Sequence, residues 1–592
     1  MKKNCLVITP QEKFETEDNY IYLGNWCNTN EYMFNSDNVV PYHWDDRDKL
    51  ERDNKYINNL YEKILNELTI ILNNHHKLKY SNEYWRLVVG YWLFCFLSST
   101  FDKWETISKC FKTFNNINYT TKYKFGFRDI PISSTTREYI NLSSDIKWNH
   151  MLFNEIIEFI KKENKIKIEF KNTDIKDHNF YFNYKINYKN SLKGKLIELY
   201  NFFTSFLTEK NKVIIYKSYT GLLNEFKLNL NFRQLPIFIN DKYFNNPIDK
   251  ESRKNFRINL KNNSLYEKFI SEIIFNNIPK EFIEDFSEIE SYISKLNLPK
   301  NPKVILSTTT LAKDNIFVRY CAKKKELGTK LIYCQHGGAY GQIKFSWAED
   351  HEVRLSDKYL TWGWKDQNNK KIQSFGILKN IDKFKFKKNN NKINNISYFL
   401  RSRPIFVHRI DSSSGSNQMS KYYNTCLEFF DIKQKLNLSP KIIPRFHEAM
   451  FGWNHVEIWK KRFKKFDMRY TYEESLNDVY RNYDLIIYSY IGTGFLESLA
   501  VDKPFLLISS LSDWPLRENV RKDFEKLKEA NIFFENNESA IRHLNSIIDN
   551  PMEWWDSNRI KDIKNDFKVK YANNISENTK VNKLKKILTE YL

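Results

Sequence analysis

Glycine is scarce in this chain, 15 residues in 592, and proline is as rare at 14. That poverty excludes collagen-like, proline-rich and glycine-serine linker architectures. Seven cysteines are scattered, odd in number and never spaced CxxC, which excludes a disulfide scaffold and a structural zinc ribbon and points to a reducing compartment. The longest apolar run, "LVVGYWLFCFL" at 87–97, is eleven residues long, where a bilayer span needs about 20. A buried helix is expected there. The opening "MKKNCLVITP" lacks the sustained apolar core of a signal peptide, so a cytoplasmic protein is expected, at most peripheral to the inner membrane face. Arginine-rich tails and paired zinc-finger spacings are also missing, which argues against specific nucleic-acid recognition.

Hydrophobic residues make up 41% and aromatics 16%, enough for several packed cores, and the length suits two to four domains. Basic residues number 94 against 72 acidic ones, a net charge of +22 spread along the chain. Such a surface favours anionic partners: phospholipid headgroups or nucleotide phosphates.

Apolar segments alternate between strand-like and helix-like patterns. "CLVIT" (5–9) reads as a first strand, and residues 49–110 as helical. "KIKIEF" (165–170), "KVIIYKSY" (212–219) and "LPIFI" (235–239) read as strands, and "LIELYNFFTSFL" (196–207) as a helix. From 301 the rhythm is strand, helix closed by Gly328, then strand "KLIYCQH". A polar stretch at 379–395 reads as a linker, and a second alternating series follows from "ISYFLRS" (396–402) to "PFLLISS" (504–510). The pattern predicts an α/β protein: a domain over 1–378 with helical additions, a linker over 379–395, a second domain over 396–575 and a helix over 576–592. Two Rossmann-like domains with parallel sheets would then face a cleft, with ligands at the carboxyl ends of the strands.

Three of the few glycines cluster in "LIYCQHGGAYG" (331–341). His336 stands at a strand's carboxyl end, and Gly337, Gly338 and Gly341 follow it. An active-site loop and a tight structural turn both account for this. Downstream, Glu349, Asp350 and Glu352 flank His351; they supply acid–base groups or form a solvated charged loop. In "YSYIGTGFLESLAVDKPFLLI" (488–508) a strand enters Gly492-Thr493-Gly494 and a helix carrying Glu497, an arrangement suited to a phosphate and ribose, or a plain strand–helix turn. Arg445 and His447 end another strand, and Arg401 and Arg409 follow the first strand of this domain, offering cations to a phosphate.

Taken in order, "CQHGGAYG", "SDKYLTWGW", "PRFHEAMFGW" and "IGTGFLESLAVDKP" resemble a transferase family encoded in bacterial surface-polysaccharide and lipopolysaccharide gene clusters. The local turn resembles the donor half of GT-B glycosyltransferases, shared with sugar-nucleotide 2-epimerases. The QHG loop is similar to loops in capsule Kdo transferases and teichoic-acid polymerases. The resemblance implies a GT-B glycosyltransferase, independent of metal and of any resident cofactor. Its donor would be a nucleotide sugar such as CMP-Kdo or a CMP-nonulosonate, and its acceptor a glycan or lipid-linked glycan of the cell envelope. It implies donor contacts at Gly337, Gly338, Arg401, Arg409, Arg445, His447, Gly492, Thr493, Gly494 and Glu497, with His336, Glu349, Asp350 and Glu352 as catalytic candidates. One departure is that Ile491 and Gly492 precede Thr493 where a polar Asn or Ser is expected. A polyol-phosphate transferase of the teichoic type and a basic nucleic-acid-binding protein are the alternative readings.

Overall fold

A computed structural model describes the chain from residue 2 to 592, apart from 11–17, 29–30, 34–36, 125, 128–129, 131, 165, 173–191, 240–241, 261–263, 309–313, 382–385, 387–391, 448–450 and 464–466. Most of the expected 379–395 linker therefore lies outside the described residues. Among the described residues the fold is α/β, with its named strands all pairing in parallel, in three sheets where two were expected.

The first sheet, in the order β2-β1-β3-β4, comprises β1 (Asn4–Val7), β2 (Asn19–Tyr22), β3 (Tyr119–Lys122) and β4 (Glu169–Asn172). Between its strands run two long antiparallel helices, α1 (Arg47–His76) and α2 (Asn82–Thr113). Asp46 caps α1 and Ser81 caps α2, each accepting a backbone N–H three residues on. The apolar run 87–97 lies in the middle of α2 and is buried almost throughout, as expected. Apolar residues all round a helix mean burial on every side. Among the described residues no helix is long and apolar enough to cross a membrane.

The second sheet is sequential: β5 (Val213–Ile215), β6 (Val304–Ser307), β7 (Lys330–Cys334), β8 (Lys358–Thr361) and β9 (Ile372–Ser374). Helices α3 (Leu192–Thr208) and α4 (Leu222–Asn231) flank its β5 edge, and α5 (Trp347–Leu355) joins β7 to β8. "LPIFI" at 235–239 forms no strand; its carbonyls instead receive side-chain donors from α3, Tyr200 to Pro236 and Asn201 to Phe238.

The third sheet holds β10 (Asn395–Phe399), β11 (Lys441–Phe446), β12 (Arg469–Tyr470), β13 (Leu485–Tyr488), β14 (Phe505–Ile508) and β15 (Phe533–Phe534). Its order is β12-β11-β10-β13-β14-β15, the doubly wound 3-2-1-4-5-6 arrangement. Helix α6 (Gln418–Lys435) follows β10, and α7 (Thr493–Ala500) follows β13. The strand order reverses between β10 and β13, so their carboxyl-end loops border the crevice where such sheets bind ligands. The last helix, α8 (Glu577–Thr589), returns to the second sheet. Its Val581, Leu584 and Leu588 share a core with Val213, Ile215 and Leu228.

Candidate functional site

The loop after β7 divides its residues between two tasks. Gln335 points inward. Its Oε1 accepts the Trp362 N–H and the Trp364 indole N–H, both at 2.9 Å, and its carbonyl accepts the Trp362 indole N–H at 3.0 Å. Gly341 has φ +76°, and a Cβ there would lie 2.5 Å from the Trp364 ring. That glycine serves packing. Gly337 and Gly338 face the third sheet instead. The Gly338 N–H donates to Thr493 Oγ1 at 2.7 Å, and a Cβ on Gly337 would lie 2.8 Å from the same oxygen. The two glycine-bearing turns of the sequence therefore touch, one closing β7 and the other opening α7.

His336 is half-buried beside that contact. Its Nδ1 lies 3.6 Å from Oε1 of Glu352 on α5. Glu352 is buried and accepts the Tyr359 hydroxyl at 2.9 Å, with the Tyr340 hydroxyl at 3.5 Å. Burial holds its carboxyl well above the ordinary carboxylate range, with Glu349 adding to the rise and Tyr359 opposing it. The arrangement is a strand-end imidazole backed by a buried acid. It can hold an imidazole in one orientation and, in its ionised form, would stabilise the charge the ring gains on taking a proton.

The neighbouring acids have other duties. Glu349 is buried between the Gly341 N–H (2.9 Å) and the Arg517 guanidinium (2.8 Å), which makes it a staple from α5 to the third sheet. Asp350 reaches solvent from a recess beside Glu349, Arg517 and Asp411. Desolvation there, then the charge of Glu349, pushes its carboxyl up to about 6. His351 stacks on Trp347 at 4.3 Å, and burial takes it down to about 3.

On the third sheet, Thr493 opens α7, but the glycines beside it do not border empty space. A Cβ on Gly492 would lie 2.5 Å from the Tyr490 ring, and one on Gly494 2.4 Å from the Tyr488 ring. Tyrosines of this chain fill the room that the glycines make. Glu497 is buried and accepts from Lys379 at 2.7 Å. Arg445 is fully buried in β11 and pairs with Glu474, away from the β7 loop. His447 is exposed and stacks on Phe451 at 6.0 Å.

The loop after β10 gathers charge more densely. Arg401 lies under the surface, donating to Ser413 Oγ at 2.9 Å with its guanidinium 4.4 Å from the Trp514 ring. Desolvation, then repulsion from Arg403, lowers its pKa to about 9. Arg409 pairs with Asp411 at 3.1 Å and donates to Tyr91 on α2 at 3.0 Å. Arg403 lies 3.6 Å from that same Asp411. Two of these three guanidiniums thus share the Asp411 carboxylate, and Arg401 lies close by without pairing to it. Arg403, Arg409, Asp411, Ser413, Ser414 and Trp44 line a pocket there. Sequence reading singled out Arg401 and Arg409 but passed over Arg403, Ser413, Trp514 and Arg517. The "DSSSGS" run at 411–416, directly before a helix, was the available signal for the serines. Trp514 and Arg517 carried none.

Main-chain bonds stitch this region together. The Lys344 N–H donates to the Pro515 carbonyl, the Arg517 N–H to Gln342, and the Ser412 N–H to Phe345, at 2.8, 2.8 and 3.1 Å. The structure brings together His336, Gly337, Gly338, Glu352 and Thr493, with Arg409 acting electrostatically on Glu352. Arg445 and His447 stay apart from them.

Comparison with known proteins adds one finding for the whole chain. The profile of a family described as "LIC12162 family transferase" matches residues 4–588. Curated proteins give no match. A solved structure titled "S. aureus MnaA-UDP co-structure" aligns with a TM-score of 0.35 and 11% identity, over 64% of this chain and 97% of that one. At that level it carries no weight for fold or function.

Proposed function

Since this chain belongs to the LIC12162 family of transferases, we propose that it moves a glycosyl group from a nucleotide-activated donor to a bacterial surface glycan or a lipid-linked acceptor. The observation that carries this reading is the hydrogen bond from Gly338 to Thr493. It sets His336 and its buried partner Glu352 beside the first turn of α7, next to the switch point of a doubly wound sheet.

In this reading the donor's phosphates lie toward the loop after β10, where Arg401, Arg403 and Arg409 exceed the carboxylates that face them. Those guanidiniums supply the counter-charge that a divalent ion supplies elsewhere, so the reaction needs no metal. With Nδ1 turned to Glu352, His336 Nε2 is the nitrogen that takes the acceptor hydroxyl's proton as the new glycosidic bond forms and the nucleotide leaves. Asp350, with a carboxyl near 6, stands at the rim as a second acid–base group. The QHG loop, similar to that of capsule Kdo transferases, favours a CMP-ulosonate donor. A cytoplasmic reaction fits seven buried cysteines, none of them in a disulfide.

A thermal-shift screen of CMP, UDP and GDP tests the reading. One nucleotide should stabilise the protein by about 2.7 kcal/mol at 100 times its Kd. His336→Ala should keep that shift and lose transfer. Failure of all three nucleotides to stabilise the protein would overturn the proposal.

A further inference from the structure

Helix α3 is amphipathic in the wrong direction for a soluble protein. Its polar side faces inward: Tyr200 donates to the Pro236 carbonyl, Asn201 to that of Phe238, and Thr208 is buried. Its apolar side faces out. Leu199, Phe202, Phe203 and Phe206 recur at helical spacing and are 54%, 77%, 72% and 71% exposed. Helix α4 shows part of the same inversion: Asn224 and Asn229 are buried beside Leu228, while Leu222 and Leu223 stand 74% and 80% exposed. A soluble surface carries apolar residues singly, and a contiguous set on two adjacent helices marks an interaction face.

Charge identifies the partner. The groove joining the two helices is floored by Leu207, Leu230 and Leu592 and rimmed by Lys210, Lys212, Arg233 and Lys303. None of these four cations forms an ion pair among the described residues. From 192 to 233 the sequence has seven Lys and Arg against three Glu. A second copy applied through the same face would set this rim against itself, like charge on like. Aromatic and leucine side chains beside a lysine rim match the boundary between acyl chains and anionic headgroups.

We infer that the outward faces of α3 and α4 dock the protein on an anionic phospholipid membrane. The patch follows the β5 edge of the second sheet, whose β7 carries His336, so docking holds that sheet at the bilayer surface. This inference stands on its own and does not depend on the donor chemistry proposed above.

The full-length protein should float with vesicles of phosphatidylglycerol and phosphatidylcholine, more weakly as salt rises, and should not float with phosphatidylcholine alone. Replacing Phe202→Asp together with Phe206→Asp should reduce binding to the anionic vesicles about tenfold or more. Lys210→Glu with Lys212→Glu should do the same. Both pairs should melt like the parent protein, since the altered side chains are exposed. Three results would each overturn the inference: no flotation of the parent protein at low salt, unchanged binding by both variant pairs, or a parent dimer that Phe202→Asp with Phe206→Asp converts to monomer while vesicle binding persists.

Discussion

Adding one methyl group at Gly337 tests the contact between the two glycine-bearing turns. An alanine Cβ there would lie 2.8 Å from Thr493 Oγ1 and 3.3 Å from its Cγ2, with only ordinary contact, 3.7 Å, to its Cβ. The overlap should cost about 1–3 kcal/mol, and the positive φ of +156° adds a smaller backbone term. Thr493→Ala removes both crowded atoms and also the acceptor of the Gly338 N–H, at a cost of about 1 kcal/mol. In the double variant the overlap is gone while the backbone term and the lost hydrogen bond remain. The double variant should therefore be more stable than the sum of the singles predicts, by the size of the overlap, about 1–3 kcal/mol. Urea unfolding followed by tryptophan fluorescence measures all four corners of the cycle. Additivity within about 0.5 kcal/mol would mean that the loop after β7 does not rest on α7, and the proposed site would lose its foundation.

With a working donor, His336→Ala should lower turnover by about 10²- to 10⁴-fold. Glu352→Gln should lower it less and shift the acid limb of the pH–rate profile, leaving the KM for donor unchanged. The raised pKa of Asp350, about 6, means that the folded state disfavours its ionised form. The protein thus loses stability as pH rises from the ordinary carboxylate range through 6, and Asp350→Asn should raise Tm more at about pH 7 than at about pH 4. All seven cysteines are buried thiols outside any disulfide, with Cys27, Cys95 and Cys110 pushed up to about 12. Ellman's reagent should therefore label none in the native protein and all seven after unfolding.

Where strands are fully buried and separated by helices, the sequence was easy to read. The segments at 301–334 and 396–510 fall on β6, β7, β10, β11, β13 and β14 within a few residues. The first sheet was half legible: "CLVIT" overlaps β1 and "KIKIEF" overlaps β4 at Glu169 and Phe170, while β2 and β3 were not seen. Its β3, "YTTK", is four residues with no apolar run, and it is a strand only because the first and last strands of that sheet pair on either side. "LPIFI" failed as a strand because α3 supplies its hydrogen-bond partners. At the site, His336 was legible from its place at a strand end. That Glu352, among three close acids, is its partner was not, because the choice depends on which face of α5 meets β7. The glycines at 492 and 494 suggested a ligand cradle, and neighbouring tyrosines occupy it.

The return of α8 to the second sheet sets a condition on biosynthesis. Leu584 and Leu588 complete a core begun by Val213 and Leu228, with the entire third sheet translated in between. At ribosomal speeds that interval is on the order of ten seconds or more. Throughout it the nascent second sheet holds an apolar face that Val581, Leu584 and Leu588 cover in the folded protein. A chaperone that covers this face during synthesis would act at the step most exposed to aggregation.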